Sequence, residues 1–178
     1  MLREAITAHQ RGDMPAAIRL YREFLKQHPD AAEIRSNLGA ALARDGQYAA
    51  AIPEYREALK KLPANPGVRM NLGIALYKAN RLPEAAAELE TVHRQQPDAL
   101  QPAIVLGDCW LQMGQWKPLI ALLLPYEAKY PQERAIAYML GTAMLSERYW
   151  LPGTPSAARA GSSPPHFESS VSNPSCFR

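Results

Sequence analysis

The chain has 178 residues, of which 47% are hydrophobic and 21% are charged, and its formal net charge at neutral pH is +3. This length and composition are typical of one domain that can bury a sizeable core. The small positive charge argues against a nucleic-acid or anionic-membrane partner, which would call for clustered basic residues. The longest apolar run, 119–124, is too short to span a bilayer. The first ten residues have no apolar signal-peptide core, so a cytoplasmic protein is expected.

The side chains that carry catalysis or bind metals are scattered along the sequence. The two cysteines, Cys109 and Cys176, are too far apart in sequence to indicate a disulfide framework. No serine, cysteine or carboxylate has an evident base partner, and there is no glycine-rich phosphate loop. We therefore expect no enzymatic activity, no cofactor and no metal site. The histidines, which lack the spacing of metal ligands, are His9, His28, His93 and His166.

One segment of the sequence recurs with a period of 34 residues. Residues 37–48 read NLGAALARDGQY, residues 71–82 read NLGIALYKANRL, and the leucine–glycine pair appears again at Leu106 and Gly107. Apolar residues at helical spacing indicate two helices per unit, with a turn between them and a proline after the second. The turn column is Gly12, Gly46, Asn80 and Gly114, and the closing column is Pro29, Pro63, Pro97 and Pro131.

In chain order the pattern predicts four helix pairs and then a single helix. The units are residues 1–31, 32–65, 66–99, 100–133 and, for the single helix, 134–148. The first unit starts inside its first helix and has Glu4 where later units have leucine, so a short helix is expected there. Pro125 falls inside a second helix, where the missing N–H predicts a kink.

A column of glycines lies one residue after the leucine of each later unit. A residue without a side chain lets neighbouring helices approach closely, so we expect this column at helix–helix contacts. The column is Gly39, Gly73, Gly107 and Gly141.

The repeat pattern stops after Trp150. Residues 151–178 are rich in proline, serine, glycine and alanine and have no apolar period, so a disordered tail is expected. The segment begins where the second helix of a fifth unit would begin. One interpretation is that a truncation or a change of reading frame interrupted the repeats, and the other is a natural flexible tail.

These columns resemble the tetratricopeptide repeat (TPR) family. The resemblance rests on the leucine–glycine pair, on the small residue and aromatic of the second helix (Ala51 and Tyr55) and on the closing proline, and it covers residues 1–150. It implies an all-α fold, an α-α superhelix (TPR solenoid) of antiparallel helix pairs. It also implies a protein-interaction scaffold that binds a peptide or a partner surface in a concave groove lined by the first helices.

The resemblance also assigns residues to that groove. Asn37 and Asn71 hold equivalent positions, at which asparagines of related proteins hydrogen-bond a peptide backbone, although asparagine is also simply common before leucine–glycine. Arg44 and Lys78 form a second matched pair, suited either to an acidic ligand group or to solvation. The expected groove residues are Ser36, Asn37, Arg44, Met70, Asn71, Ile74, Tyr77, Lys78, Ile104 and Leu111.

The expected lining changes along the groove. It is polar and basic near Arg44 and apolar near Tyr77, Ile104, Leu111 and Tyr138. Such a lining predicts an extended peptide with apolar and acidic residues as the ligand. Asp108 and Gln112 are expected on the same lining.

One well-known ligand mode of the family does not fit this chain. The clamp that grips the C-terminal carboxylate of chaperone tails needs two asparagines and three basic side chains. Of the five equivalent positions here, only the central one, Asn37, has the residue that the clamp needs, and none of the five is basic. They are Leu2, Ile6, Asn37, Gly67 and Asn71.

Two alternatives to a peptide-binding scaffold remain open. The chain could be the repeat segment of a larger enzyme, such as a glycosyltransferase, or of a secretion or assembly factor. It could also self-associate through its last helix, which no polar capping helix covers. The apolar residues of that helix and its end are Tyr138, Leu145, Tyr149 and Trp150.

Overall fold

A computed structural model describes residues 1–149, and the predicted tail at 151–178 lies outside the described residues. Residues 1–149 contain helices and short turns but no strand, and none of these helices is long and apolar enough to cross a membrane. The helices are α1 (Leu2–Arg11), α2 (Met14–Gln27), α3 (Ala32–Arg44), α4 (Tyr48–Lys61), α5 (Pro66–Lys78), α6 (Leu82–Gln95), α7 (Leu100–Gln112), α8 (Trp116–Lys129) and α9 (Arg134–Tyr149).

The helices pack in two layers. Each odd-numbered helix packs against the even-numbered helix that follows it, and each even-numbered helix packs against the next odd one. In addition α3 contacts α5, α5 contacts α7 and α7 contacts α9, so these odd helices form one continuous layer. The predicted all-α solenoid of antiparallel helix pairs is confirmed.

The turn inside each pair depends on one residue in the left-handed backbone conformation. This conformation carries a steric penalty for residues with a Cβ, which is why glycine and asparagine are preferred there. After the turn residue Gly46, the N–H of Gln47 bonds back to the carbonyl of Leu42 at 2.9 Å and closes the end of α3. The predicted turn column is confirmed: φ is 84° at Gly12, 78° at Gly46, 58° at Asn80 and 68° at Gly114.

The glycine column creates space for a large side chain from the second helix of the same pair. A Cβ added to Gly73 would lie 2.8 Å from Cγ of Leu89, closer than real Cβ contacts allow. The leucine therefore lies directly against the backbone of α5. We call the space at these glycines the glycine notch; Tyr55 fills it at Gly39, Leu89 at Gly73 and Leu123 at Gly107.

In each of two units, one arginine bonds both to the second helix of its own unit and to the end of the preceding unit. Arg69 Nη1 donates to Glu88 at 2.6 Å, and its Nη2 donates to the carbonyl oxygen of Pro63 at 2.8 Å. The ion pair is mostly shielded from solvent, so its charges are screened less than those of a surface pair. The same arrangement joins Arg35, Glu54 and Pro29 one unit earlier.

Two departures from the repeat pattern lie in the first and fourth pairs. α1 has 10 residues whereas α3 has 13, so the predicted short first helix is confirmed. α8 remains helical through Pro125. The missing N–H of this proline removes one hydrogen bond without ending the helix. A kink at Pro125 stays a prediction.

Cys109 is fully buried in the core, and burial, followed by the neighbouring Asp108 charge, raises the pKa of its thiol to about 12. Because the thiolate is the reactive form, this thiol should not react in the folded protein at about pH 8. We expect a Cys176→Ser variant to resist labelling by a thiol-reactive chromophore until denaturant is added. Labelling of the folded variant as fast as the unfolded one would contradict the buried position.

Candidate functional site

The ten predicted groove residues lie on three neighbouring helices of the odd-numbered layer. All ten are half-buried or exposed, whereas the adjacent residues Leu38, Gly39 and Leu42 are buried in the core. The ten therefore share an accessible surface, which we call the first-helix face. It consists of Ser36, Asn37 and Arg44 on α3, Met70, Asn71, Ile74, Tyr77 and Lys78 on α5, and Ile104 and Leu111 on α7.

Asn37 and Asn71 hold the same position on two helices that contact each other, α3 and α5. Asn37 is half-buried and Asn71 is exposed. Within residues 1–149 neither carboxamide has a hydrogen-bond partner. Each can both donate and accept, so the two side chains can bind a polar backbone placed across them.

The Tyr77 hydroxyl is held in a hydrogen-bond network between α5 and α7. It donates to Asp108 Oδ2, while Gln112 Nε2 donates to the same carboxylate at 2.8 Å and to the tyrosine oxygen at 3.1 Å. Burial and the Asp108 hydrogen bond raise the pKa of Tyr77. The hydroxyl of Tyr77 therefore lies in a charged network that fixes the ring, and the apolar lining expected here stays a prediction.

The two predicted basic residues differ in their contacts. Arg44 is exposed, and its Nη1 donates to the carbonyl oxygen of His9 at 3.3 Å, which joins α3 to α1. Lys78 Nζ lies 5.5 Å from the centroid of the Tyr77 ring, a cation–π distance. Burial and then the Arg44 charge lower the pKa of His9, so this imidazole is neutral at neutral pH.

Apolar side chains anchor the rest of the first-helix face. Met70 packs against the core cluster that runs from α1 to α7, as does the Tyr77 ring. Ile104 and Leu111 pack against the second cluster, which joins α7, α8 and α9. Because each is only partly buried, these side chains offer apolar surface to a ligand from fixed positions.

The first-helix face suits an extended chain that crosses the helices. Packed helices lie about 8–10 Å apart, and an extended peptide advances about 3.3 Å per residue. Equivalent side chains on adjacent helices therefore match peptide residues about three positions apart. The unbonded carboxamides of α3 and α5 would thus face peptide residues about three positions apart.

Sequence reasoning placed Asp108 and Gln112 on the lining but missed their bonds to Tyr77. The signal that could have found the network is the repeat period itself. Asp108 lies 31 residues after Tyr77, which is one period minus about one helical turn, and Gln112 lies one period plus one residue after it. Such offsets bring residues of successive first helices side by side.

Comparison with protein families places the chain among repeat proteins. Two family profiles, both described as tetratricopeptide repeat, match residues 2–68 and 42–104. Together they span more than half of the chain. No curated protein sequence matches it.

Solved structures share the fold. YrrB, described as a TPR protein with an unusual peptide-binding site, aligns with a TM-score of 0.76 and 16% identity over 83% of this chain and 76% of its own. A tetratricopeptide repeat protein from Parabacteroides merdae aligns with a TM-score of 0.74 and 14% identity over 83% of this chain and 59% of its own. MamA AMB-1 aligns with a TM-score of 0.70 and 19% identity over 83% and 89%. At these identities the similarity concerns the fold.

Proposed function

Because the chain belongs to the tetratricopeptide repeat family, we propose that it is a non-enzymatic scaffold that binds an extended peptide of a partner protein across α3, α5 and α7. The observation that carries the proposal is the pair of unbonded carboxamides of Asn37 and Asn71 at the same position on neighbouring helices. A polar group on an accessible surface that makes no bond within the described residues is available to a ligand. YrrB, which shares the fold, is itself described as having a peptide-binding site.

The side chains around the two asparagines define the class of peptide. Each carboxamide would pair with the N–H and C=O of the peptide backbone, which gives affinity without sequence preference. Ile74, Ile104 and Leu111 offer apolar contacts, and the exposed Arg44 attracts an acidic group. The proposed ligand is an extended segment with apolar residues and at least one acidic residue.

To test this proposal, a peptide is first selected from a displayed random library for binding to the whole protein. Its affinity is then measured for the unmodified protein and for a variant. The Asn37→Ala, Asn71→Ala double variant loses two carboxamides, each making two hydrogen bonds worth about 0.5–1.5 kcal/mol. We expect peptide binding in isothermal titration to weaken more than tenfold, with an unchanged helical circular dichroism spectrum.

The chain offers a matched control for this measurement. Gln27 and Gln95 are exposed carboxamides that end α2 and α6, in the second layer of helices. A Gln27→Ala, Gln95→Ala variant should bind the selected peptide like the unmodified protein. If the glutamine variant loses as much affinity as the asparagine variant, or if neither loses any, the assignment of the site to the first-helix face is wrong.

We also propose that the chain self-associates through α9. Three large apolar side chains of this helix are exposed: Tyr138 by 64%, Met144 by 43% and Leu145 by 58%. Large apolar surface of this kind marks interaction sites on soluble proteins. The side chains of Tyr149 and Trp150, which the sequence also suggests for this surface, lie outside the described part.

A further inference from the structure

Within residues 1–149, the glycine notch has no occupant at the fourth position of the column. Gly141 of α9 is in register with Gly39, Gly73 and Gly107, each of which lies against a large side chain of the next helix. At Gly141 no atom of the described residues lies within 4 Å of an added Cβ. The surface that receives a helix side chain three times along the chain is therefore not covered on α9 by any of the described residues.

An apolar stripe surrounds this empty notch. Ala137, Tyr138, Gly141, Met144 and Leu145 are all exposed and, at 100° per residue, fall within about 120° of the helix circumference. None of these five is charged; the exposed Arg134, which falls in the same arc, lies two turns before Gly141 at the start of α9. A helix surface of this width and composition is typical of a face that packs against another helix.

The sequence after α9 lacks the side chain that the notch needs. In the filled notches the occupant stands sixteen residues after the glycine, as Tyr55 does after Gly39. The residue sixteen positions after Gly141 is Ala157, which lacks the bulk of a tyrosine or leucine. The chain therefore has no large side chain at the spacing that fills the other three notches.

α9 itself contains a side chain of the required kind. In α4 and α6 the occupant follows a small residue by four positions, Ala51 before Tyr55 and Ala85 before Leu89. Leu145 follows Gly141 by the same interval, and the two point about 40° apart around the axis. One helix thus offers both a notch and a leucine beside it on one exposed face.

We infer that two copies of the chain dimerise by antiparallel packing of their α9 helices, with Leu145 of each copy in the Gly141 notch of the other. A two-fold interface must be self-complementary, and a notch and a leucine one turn apart on an antiparallel helix pair meet this condition. The inference rests on the self-association proposed above and is independent of peptide binding. A single helix pair is a small interface, so the dimer should dissociate on dilution.

Sedimentation velocity over a concentration series, on two reciprocal variants of the full chain, tests this pairing. Gly141→Leu fills both notches of the dimer, and Leu145→Gly removes both leucines, so each variant should associate at least tenfold more weakly than the unmodified chain. Gly141→Leu has free space in the monomer, and Leu145 is largely exposed, so both variants should keep the helical circular dichroism spectrum.

An equimolar mixture of the two variants supplies the decisive measurement. In the mixed dimer each of the two contacts pairs one leucine with one glycine, so the mixture should associate as strongly as the unmodified chain. Leu124→Gly serves as a matched control, since Leu124 is an exposed leucine of α8, 49% accessible. It should not change the association.

Each of the other outcomes contradicts either self-association or the pairing of Leu145 with Gly141. An unmodified chain that remains monomeric over the series overturns both self-association and the α9 pairing, whereas peptide binding is unaffected. If the unmodified chain dimerises and the single variants do so equally well, self-association stands and the pairing at Gly141 is wrong. The pairing is also wrong if both single variants are monomeric and their mixture stays monomeric.

Discussion

Replacing Tyr55 by alanine is expected to lower the free energy of unfolding by about 3–5 kcal/mol, the range measured for large aromatic residues truncated in a core. Tyr55 is only 2% exposed and its ring lies on Gly39, where an added Cβ would be 2.8 Å from the ring. Alanine removes both the buried apolar surface and the side chain that fills the notch. Neighbouring repeats contact this pair on both sides, so the loss should affect the cooperative unit around it.

Urea unfolding followed by circular dichroism measures this effect, at a concentration at which the chain is monomeric. Tyr138→Ala makes the same chemical change at a residue that is 64% exposed, where surface substitutions usually stay within about 0.5 kcal/mol. Its midpoint should match that of the unmodified protein. Equal losses in the two variants would contradict the placement of Tyr55 in the core.

Replacing Gly73 by leucine is expected to lower the free energy of unfolding by about 1–3 kcal/mol, the usual cost of inserting bulk into a filled core. The new side chain would start 2.8 Å from Leu89 Cγ, so α5 and α6 would have to move apart. The better helix propensity of leucine, up to about 1 kcal/mol over glycine, offsets only part of this. Thermal unfolding should show a midpoint several degrees lower.

The same substitution at Gly141 isolates the steric effect. Gly141→Leu makes an identical chemical change in the same register position, but no atom of the described residues lies within 4 Å of an added Cβ there. Its monomer should therefore be as stable as the unmodified chain or more stable by up to about 1 kcal/mol. If Gly73→Leu proves as harmless as Gly141→Leu, the notch at Gly73 is not filled as described.

The period of 34 residues was sufficient to predict the helices and their turns. Gly46 and Asn80 could be identified as turn residues because few other residues tolerate a left-handed backbone. The glycine column likewise predicted close contacts, which exist at Gly39, Gly73 and Gly107. Such features follow from local rules that repeat, so each additional unit reinforces the prediction.

Side-chain bonds between helices and between units could not be predicted in the same way. The bonds of Arg69 to Glu88 and to the Pro63 carbonyl join residues 19 and 6 positions apart. Their formation depends on how two helices cross and on where the preceding unit ends, and sequence alone does not set either. The bond to Pro63 joins two units, whereas the bond to Glu88 joins the two helices of one unit.

In the candidate site, too, the positions of the residues could be predicted from the sequence but the bonds of their side chains could not. Asn37 and Asn71 were identified by register, and their lack of a partner within residues 1–149 keeps them available to a ligand. Tyr77 was also identified by register, but its bond to Asp108 depends on side-chain conformations on two helices. The period locates a residue on a face and leaves the bonds of its side chain undetermined.

The central claim is that a peptide binds on the first-helix face. The most direct test is to follow the backbone and side-chain amide resonances of the protein by NMR while a library-selected peptide is added. If the peptide binds on the first-helix face, the largest shift changes should lie in α3, α5 and α7, including the side-chain amides of Asn37 and Asn71. Amides of α4 and α6 should change little. Changes concentrated in α4 and α6, with both asparagine side-chain amides unmoved, would contradict the claim.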